Sequence, residues 1–278
     1  VEPVLCNIRD DASVRRALQG ADAVINCVGT FDKGGKNNFE AVQVEGAGRI
    51  AKIATDEAVG SLVHISSIGA DINAASDYSR TKAEGEAAVL ASFPNAVILR
   101  PSVIFGSEDG FFNRFAVMSL MGPILPLVGA NTRFQPVFVD DVAQAAVLGA
   151  SGEAAAGVYE LGGPDVASLR DLMKMMLETV QRNRLILNLP FFVASIMAAC
   201  LDFVSFATGG LIANKILTRD QLKSLRQDNI VAADARGFAT LGIKPVTMAA
   251  MLPEYLWRYR PSGQYAAIKD SAKNLRKI

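Results

Sequence analysis

The chain has 278 residues, with 50% apolar, 20% charged, 23 glycines and 11 prolines. This excludes disorder, collagen-like repeats and low-complexity sequence, and leaves ample length for a sizeable core. Lys plus Arg number 28 and Asp plus Glu number 28, so no overall field draws the molecule to nucleic acid or to an acidic ligand. Cys6, Cys27 and Cys200 lie far apart and His64 is the single histidine, which excludes a zinc set and a disulfide framework and fits a reducing compartment.

Residues 3–8 read as a buried strand, and residues 11–18 as a short helix, acidic at its start and with Gly20 just past its end. A second apolar run covers 23–28, helical spacing covers 39–58, and 62–66 is a strand. Residues 78–90 form a helix and 96–99 a further strand. Strands alternating with helices of this length require crossovers, hence a doubly wound, mostly parallel Rossmann-type α/β sheet covered on both faces. Farther on, 136–150 reads as a strand entering a helix capped by Asp140 and Asp141, 158–163 as a strand, and 169–180 as an amphipathic helix. Met173, Met175 and Met176 on that helix fit adaptable packing. The remainder is mainly helical, so two domains are expected, 1–164 and a smaller 165–278.

A doubly wound nucleotide fold places a Gly-rich turn directly after its first strand. None follows residues 3–8. The match to G-x-G-x-x-A at Gly46 to Ala51 lies inside a helical pattern, where Gly46 and Gly48 serve close packing of a helix on the sheet. Residues 3–8 are therefore read as the third strand. A strand, helix and strand of about 50 residues, carrying the first strand and its turn, are expected upstream. No basic segment leads into an apolar run at the start, so no signal peptide is expected.

Ser66 and Ser67 close the 62–66 strand, at the carboxyl edge where open α/β sheets bind ligands. Tyr78 and Lys82 follow at i and i+4 on one helix face. A nearby ammonium lowers the pKa of a phenol toward neutrality, which suits proton transfer to a carbonyl, and a serine hydroxyl holds the substrate oxygen. Ser67 is the first choice for that hydroxyl; Ser66, on the opposite strand face, is the alternative. His64, in mid-strand, reads as a satisfied core histidine. Lys33 and Lys36, around two glycines, read as a solvated loop. Asp140 and Asp141 have no evident partner ligands, so no metal site is assigned.

These residues resemble the short-chain dehydrogenase/reductase superfamily in its extended and atypical branches. The resemblance implies that 1–164 is a dinucleotide-binding domain and that Ser67, Tyr78 and Lys82 are the catalytic triad, with Ser66 beside them. It sets Asn7 and Ile8 against the adenine, with Asn7 departing from the usual Asp. Cys27, Val28 and Gly29 become the strand end that passes the nucleotide. Arg100, Pro101, Ser102 and Val103 become the segment beside the nicotinamide.

Gly85-Glu86 and the stretches 93–116, 135–145 and 217–231 are more closely similar to the dehydrogenase-like accessory subunits of respiratory complex I in their bacterial form. That similarity implies a held nicotinamide nucleotide, NADP(H) rather than NAD(H), with little or no turnover. It also implies complex I subunits at the junction of the peripheral and membrane arms as partners, on the cytoplasmic side of the inner membrane. A free cytoplasmic NAD(P)-dependent reductase, epimerase or dehydratase acting on a sugar nucleotide or other carbonyl compound is the alternative. A redox-sensing module of the same fold is a third class. Residues 191–213 are almost wholly apolar, but Asp202 and Gly209-Gly210 argue against a membrane span. They are read as helices touching lipid or another subunit, or as core. The tail from Arg258 has six Lys or Arg against one acid, Asp270, and reads as solvated surface or as a dock on lipid headgroups.

Overall fold

Asp10 accepts the Ser13 N–H at 3.1 Å and caps the first helix, while Gly20 takes the left-handed conformation that ends its turn. The structure, a computed structural model, describes residues 2–207 and 218–263. In chain order it runs α1 (Asp11–Leu18), β1 (Ala23–Asn26), a π-helical segment (Glu40–Val44), α2 (Glu45–Asp56), β2 (Ser61–Ile65), α3 (Asp77–Ser92) and β3 (Val97–Pro101). β4 (Ile104–Phe105), α4 (Phe112–Met121), β5 (Ile124–Val128), β6 (Arg133–Phe134), β7 (Val137–Phe138), α5 (Val139–Ala150) and β8 (Gly157–Leu161) follow. The last elements are β9 (Ala167–Ser168), α6 (Leu169–Thr179), β10 (Leu185–Leu189), α7 (Phe191–Ala207), α8 (Arg219–Ser224) and α9 (Met248–Leu256).

Two compact units share the chain. The first comprises Val1–Ser102, Asp140–Gly162 and Val231–Lys244, and the second Val103–Val139, Gly163–Ile230 and Pro245–Ile278. The chain passes between the two units five times.

The first unit is built on a parallel sheet in the order β1, β2, β3, β8. Val24, Leu62 and Ile98 point from it into a core with Ile50, Ala51 and Ala54 of α2 and Val89 of α3. On α5, a Cβ at Gly149 would stand 2.7 Å from Val63 and 3.3 Å from Val97, so glycine there lets α5 lie close on the strands. Burying each Leu or Ile contributes about 1.5 to 3 kcal/mol. The returning segment Val231–Lys244 covers the free edge of β8, where Glu160 N–H donates to the Arg236 carbonyl at 2.8 Å. The Arg236 guanidinium lies 4.5 Å from the centre of the Tyr159 ring.

The second unit packs α4, α6 and α9 around Phe105, Phe112, Leu125, Leu127, Met173 and Met176. The two methionines are fully buried there, and Met175 packs against them. β5 pairs with β10 and β4 with β7 in parallel, and β6 with β9 antiparallel.

Four expectations change. Residues 3–8 form no strand, because no described strand lies beside them to satisfy their backbone, and Leu5 is 98% exposed. The 39–58 helix opens with five π-helical residues. Gly46 and Gly48 face Ile8 and Ala88 of α3, not the sheet. α5 begins at Val139, so Asp140 and Asp141 occupy its first turn instead of capping it. α7 covers the described part of 191–213, and no helix among the described residues is long and apolar enough to cross a membrane. The basic tail beyond residue 263 lies outside the described residues.

Candidate functional site

β1 ends at Asn26, which ties two strands together. Its Oδ1 accepts the Val28 N–H at 3.1 Å, so its Nδ2 faces His64 Nδ1 at 3.0 Å on β2. The amide thereby holds the imidazole neutral, with its proton on Nε2. Burial and the Lys82 charge lower the His64 pKa to about 3, so this histidine is a satisfied core residue. Cys27, Val28 and Gly29 leave the strand end exposed, and a Cβ at Gly29 would meet nothing within 4 Å.

The two serines after β2 part company. Ser66 N–H donates to the Leu99 carbonyl at 2.7 Å, and its hydroxyl donates to the Glu86 carboxylate. Arg100 grips that carboxylate from the other side, Nε at 2.9 Å and Nη2 at 2.6 Å. Ser66 is thus committed to an interior ion-pair network. Ser67 Oγ is buried beside the Tyr78 phenol and makes no well-formed hydrogen bond among the described residues. A buried hydroxyl left without a partner costs about 1 to 3 kcal/mol, and the cost vanishes when a ligand supplies the partner.

Ser76 caps α3 by accepting the Ser79 N–H, which sets Tyr78 and Lys82 in its first turns. The Tyr78 ring stacks on Phe31, with centroids 5.2 Å apart and planes at 14°, and meets the edge of Phe39 at 6.1 Å. Burial raises the phenol above its ordinary value, and the nearby Ser67 hydroxyl opposes this more weakly. Burial outweighs the lowering that Tyr-x-x-x-Lys leads one to expect from Lys82. Its Nζ donates to the Ile65 carbonyl at 2.7 Å. Desolvation lowers this ammonium to about 8, against the pull of Glu86.

Three neighbours hold this arrangement, and sequence reading did not assign them. Thr81 Oγ1 donates to Gln43 Oε1 at 2.9 Å, and Gln43 Nε2 donates to the Thr30 carbonyl at 2.7 Å. This bridge runs from α3 through the π-helical segment to the loop after β1. Glu86 is the third. The π-helix is a recurrent mark of functional sites, but five residues are too few to tell its period from that of an α-helix.

The remaining expected positions are more dispersed. Asn7 Oδ1 accepts the Arg9 N–H at 3.1 Å within its own turn, and Asn7 N–H donates to Ser13 Oγ at 2.9 Å. Ile8 packs against Gly46, with its carbonyl on Arg49 at 2.9 Å. Pro101 ends β3, and Ser102 is buried with its N–H on the Leu161 carbonyl at 2.9 Å. Val103 belongs to the second unit, where its carbonyl accepts the Val137 N–H at 3.0 Å. Lys33 pairs with Asp77 at 2.9 Å. No group of three or more His, Cys, Asp or Glu able to hold a metal occurs among the described residues.

Both buried bases give pH predictions. The unfolded chain binds a proton at His64 below its ordinary 6.5, while the folded chain does so only near 3. Stability contributed by this residue is therefore lost as the pH falls between those values, by up to about 1.4 kcal/mol per pH unit. Urea midpoints of the wild type should fall more steeply from pH 6.5 to 4.5 than those of His64→Gln; equal slopes would remove the assignment. For Lys82, folding holds an ammonium at a depressed pKa, so its cost is full below pH 8 and disappears as the pH rises toward 10.5. Lys82→Met is expected to stabilise the fold at pH 7 by about 1 to 2 kcal/mol after the lost hydrogen bond is allowed for. The gain should shrink at pH 10.

A helix-covered parallel sheet with a serine-ended strand followed by a Tyr-x-x-x-Lys helix defines the extended short-chain dehydrogenase/reductases, and the comparisons place the chain in that class. More particularly, the chain belongs to the family described as the RmlD substrate binding domain, whose model matches residues 4–190. It is 33% identical over 268 residues to the mitochondrial NADH dehydrogenase (ubiquinone) 1 alpha subcomplex subunit 9 of Arabidopsis thaliana, covering 95% of this chain and 67% of that protein. It is 30% identical to the mitochondrial NADH-ubiquinone oxidoreductase 40 kDa subunit of Neurospora crassa, covering 93% and 67%. The chain thus spans about two thirds of the length of these relatives. Among solved structures, a dTDP-glucose 4,6-dehydratase of Streptomyces venezuelae with NAD and TYD bound shares the fold. Its TM-score is 0.66 at 19% identity, over 94% of this chain and 80% of that one.

Proposed function

We propose that this chain is an accessory subunit of respiratory complex I, the NADH:ubiquinone oxidoreductase, that holds a nicotinamide nucleotide with little or no turnover. Similarity to the Arabidopsis and Neurospora subunits along more than nine tenths of the chain supports the assembly. The residues present fit a dinucleotide. Cys27, Val28 and Gly29 offer open backbone to it, and Ser67 Oγ is a buried hydroxyl with no well-formed hydrogen bond among the described residues. Ser67, Tyr78 and Lys82, with Pro101, Ser102 and Val103, would hold its nicotinamide half, Asn7 and Ile8 its adenine half. Ser66 serves from behind, through Glu86. When bound, the nicotinamide supplies hydride chemistry.

The observation that carries the reading is the state of Tyr78. Its ring stacks on Phe31 and meets the edge of Phe39, and burial raises the phenol, which makes it a weaker acid than a free phenol. This enclosure supports retention of a nucleotide over reduction of a carbonyl. The family resemblance favours NADP(H) over NAD(H). It also favours a peripheral position at the junction of the two arms, on the cytoplasmic face of the inner membrane.

Native isolation from the host membrane tests this, with mass spectrometry of both the associated polypeptides and the released nucleotide. Complex I subunits and a stoichiometric nicotinamide nucleotide that survives gel filtration are expected. A protein recovered free of those subunits, whose exchangeable cofactor a small carbonyl compound oxidises unless Tyr78 is phenylalanine, would instead be a free reductase.

A further inference from the structure

The second unit carries an apolar face that its own fold leaves open. In the β5–β10 pair, Leu185 lies beside Ile124 and Leu187 beside Pro126. Strand alternation sends Leu125, Leu127 and Ile186 into the core. Ile124, Leu185 and Leu187 remain exposed, Leu185 by 64% and Leu187 by 45%. α4 packs on β5 and adds Val117, Leu120 and Met121, spaced i, i+3 and i+4 on one helix face. All three are exposed, Met121 by 82%. Large apolar side chains gathered on adjoining elements are more than the scattered exposure ordinary to protein surfaces.

Charge decides what meets this face. No Asp or Glu occurs between Asp109 and Asp140, or between Glu178 and Asp202, whereas Arg114, Arg133, Arg182 and Arg184 lie within these stretches. Arg133 is neutralised by Asp228 at 2.7 Å. Arg184 Nε donates to the Ser119 carbonyl of α4 at 2.7 Å, and Arg182 Nε to the Tyr259 carbonyl at 2.9 Å. A carbonyl acceptor does not cancel a guanidinium charge, and neither arginine has an ion pair among the described residues. Arg184 thereby stands at the last turn of α4, where Met121 is exposed.

We propose that the β5–β10 face and the last turn of α4 dock in the plane of an anionic lipid surface, the aliphatic side chains among the headgroups and the arginines on the phosphates. This deepens the peripheral placement given above and rests on it. The test is flotation of the full-length protein with vesicles of mixed phosphatidylglycerol and phosphatidylcholine, or of phosphatidylcholine alone. The protein should float with the mixed vesicles and about tenfold less with the neutral ones.

Leu185→Ser combined with Leu187→Ser should weaken the bound fraction at least about tenfold, the loss of two partly buried leucines. Met121→Glu, at a side chain too exposed to affect folding, should do the same. Wild-type flotation by both variants overturns the proposal, as does a wild type that stays unbound. A wild type that dimerises, with variants that are monomeric, also overturns it in favour of self-association. A protein that floats but is missing from isolated complex I removes the accessory-subunit reading and leaves the lipid face standing. A subunit found in complex I whose face variants float as the wild type does removes the lipid face alone.

Discussion

Glu86→Ala is expected to destabilise the protein by about 3 to 5 kcal/mol, the cost of leaving one member of a buried ion pair without its partner. Glu86 is 5% exposed and receives two hydrogen bonds from Arg100 and one from the Ser66 hydroxyl. Arg100 also lies 3.7 Å from Glu160, but that contact is longer and does not replace the bidentate grip. Removal leaves Ser66 Oγ without its acceptor, and Lys82 loses the negative charge that holds its pKa up. The urea midpoint should fall with an unchanged slope. Adding Arg100→Met should restore much of the loss, since it takes away the stranded charge. A loss below about 1 kcal/mol in the single variant would show that the network is incidental.

Gly85→Ala is expected to cost about 2 to 3 kcal/mol or more by overpacking. A Cβ there would stand 2.1 Å from the Gln43 carbonyl oxygen, and backbone cannot step aside as a flexible side-chain end does. α3 and the π-helical segment would be pushed apart, breaking the Thr81–Gln43–Thr30 bridge that holds the loop bearing Phe31. Thermal unfolding and nucleotide retention should therefore fall together. Gly34→Ala is the control, since a Cβ at Gly34 would meet nothing within 4 Å, and it should leave both unchanged. Equal behaviour of the two variants would show that the close approach has no energetic consequence.

Much of the first unit was legible because its signals are local. α1 has its Asp10 cap and the glycine after it, and α3 and β2 lie within a residue or two of the expected spans. Residues 3–8 misled because apolar composition suits a strand, yet a strand exists only by virtue of its neighbour. The choice between Ser66 and Ser67 needed coordinates: alternation says that they face opposite ways, and only the position of Glu86 says which one is taken. The stack of Phe31 on Tyr78 spans 47 positions of chain, and no local pattern announces it. The raised phenol follows from that enclosure, which the Tyr-x-x-x-Lys spacing alone does not disclose.

The interleaving of the two units has a bearing on biosynthesis. β8 is made long before the Arg236 carbonyl that its Glu160 amide needs and the guanidinium that covers Tyr159. Until the ribosome has added the whole of Gly163–Ile230, which belongs to the other unit, that edge stays open to any strand that passes. A fragment ending near residue 164 would inherit the same raw edge permanently and should aggregate. The finished protein closes it with a ribbon of its own, one the chain supplies only after the second unit's longest segment has been made.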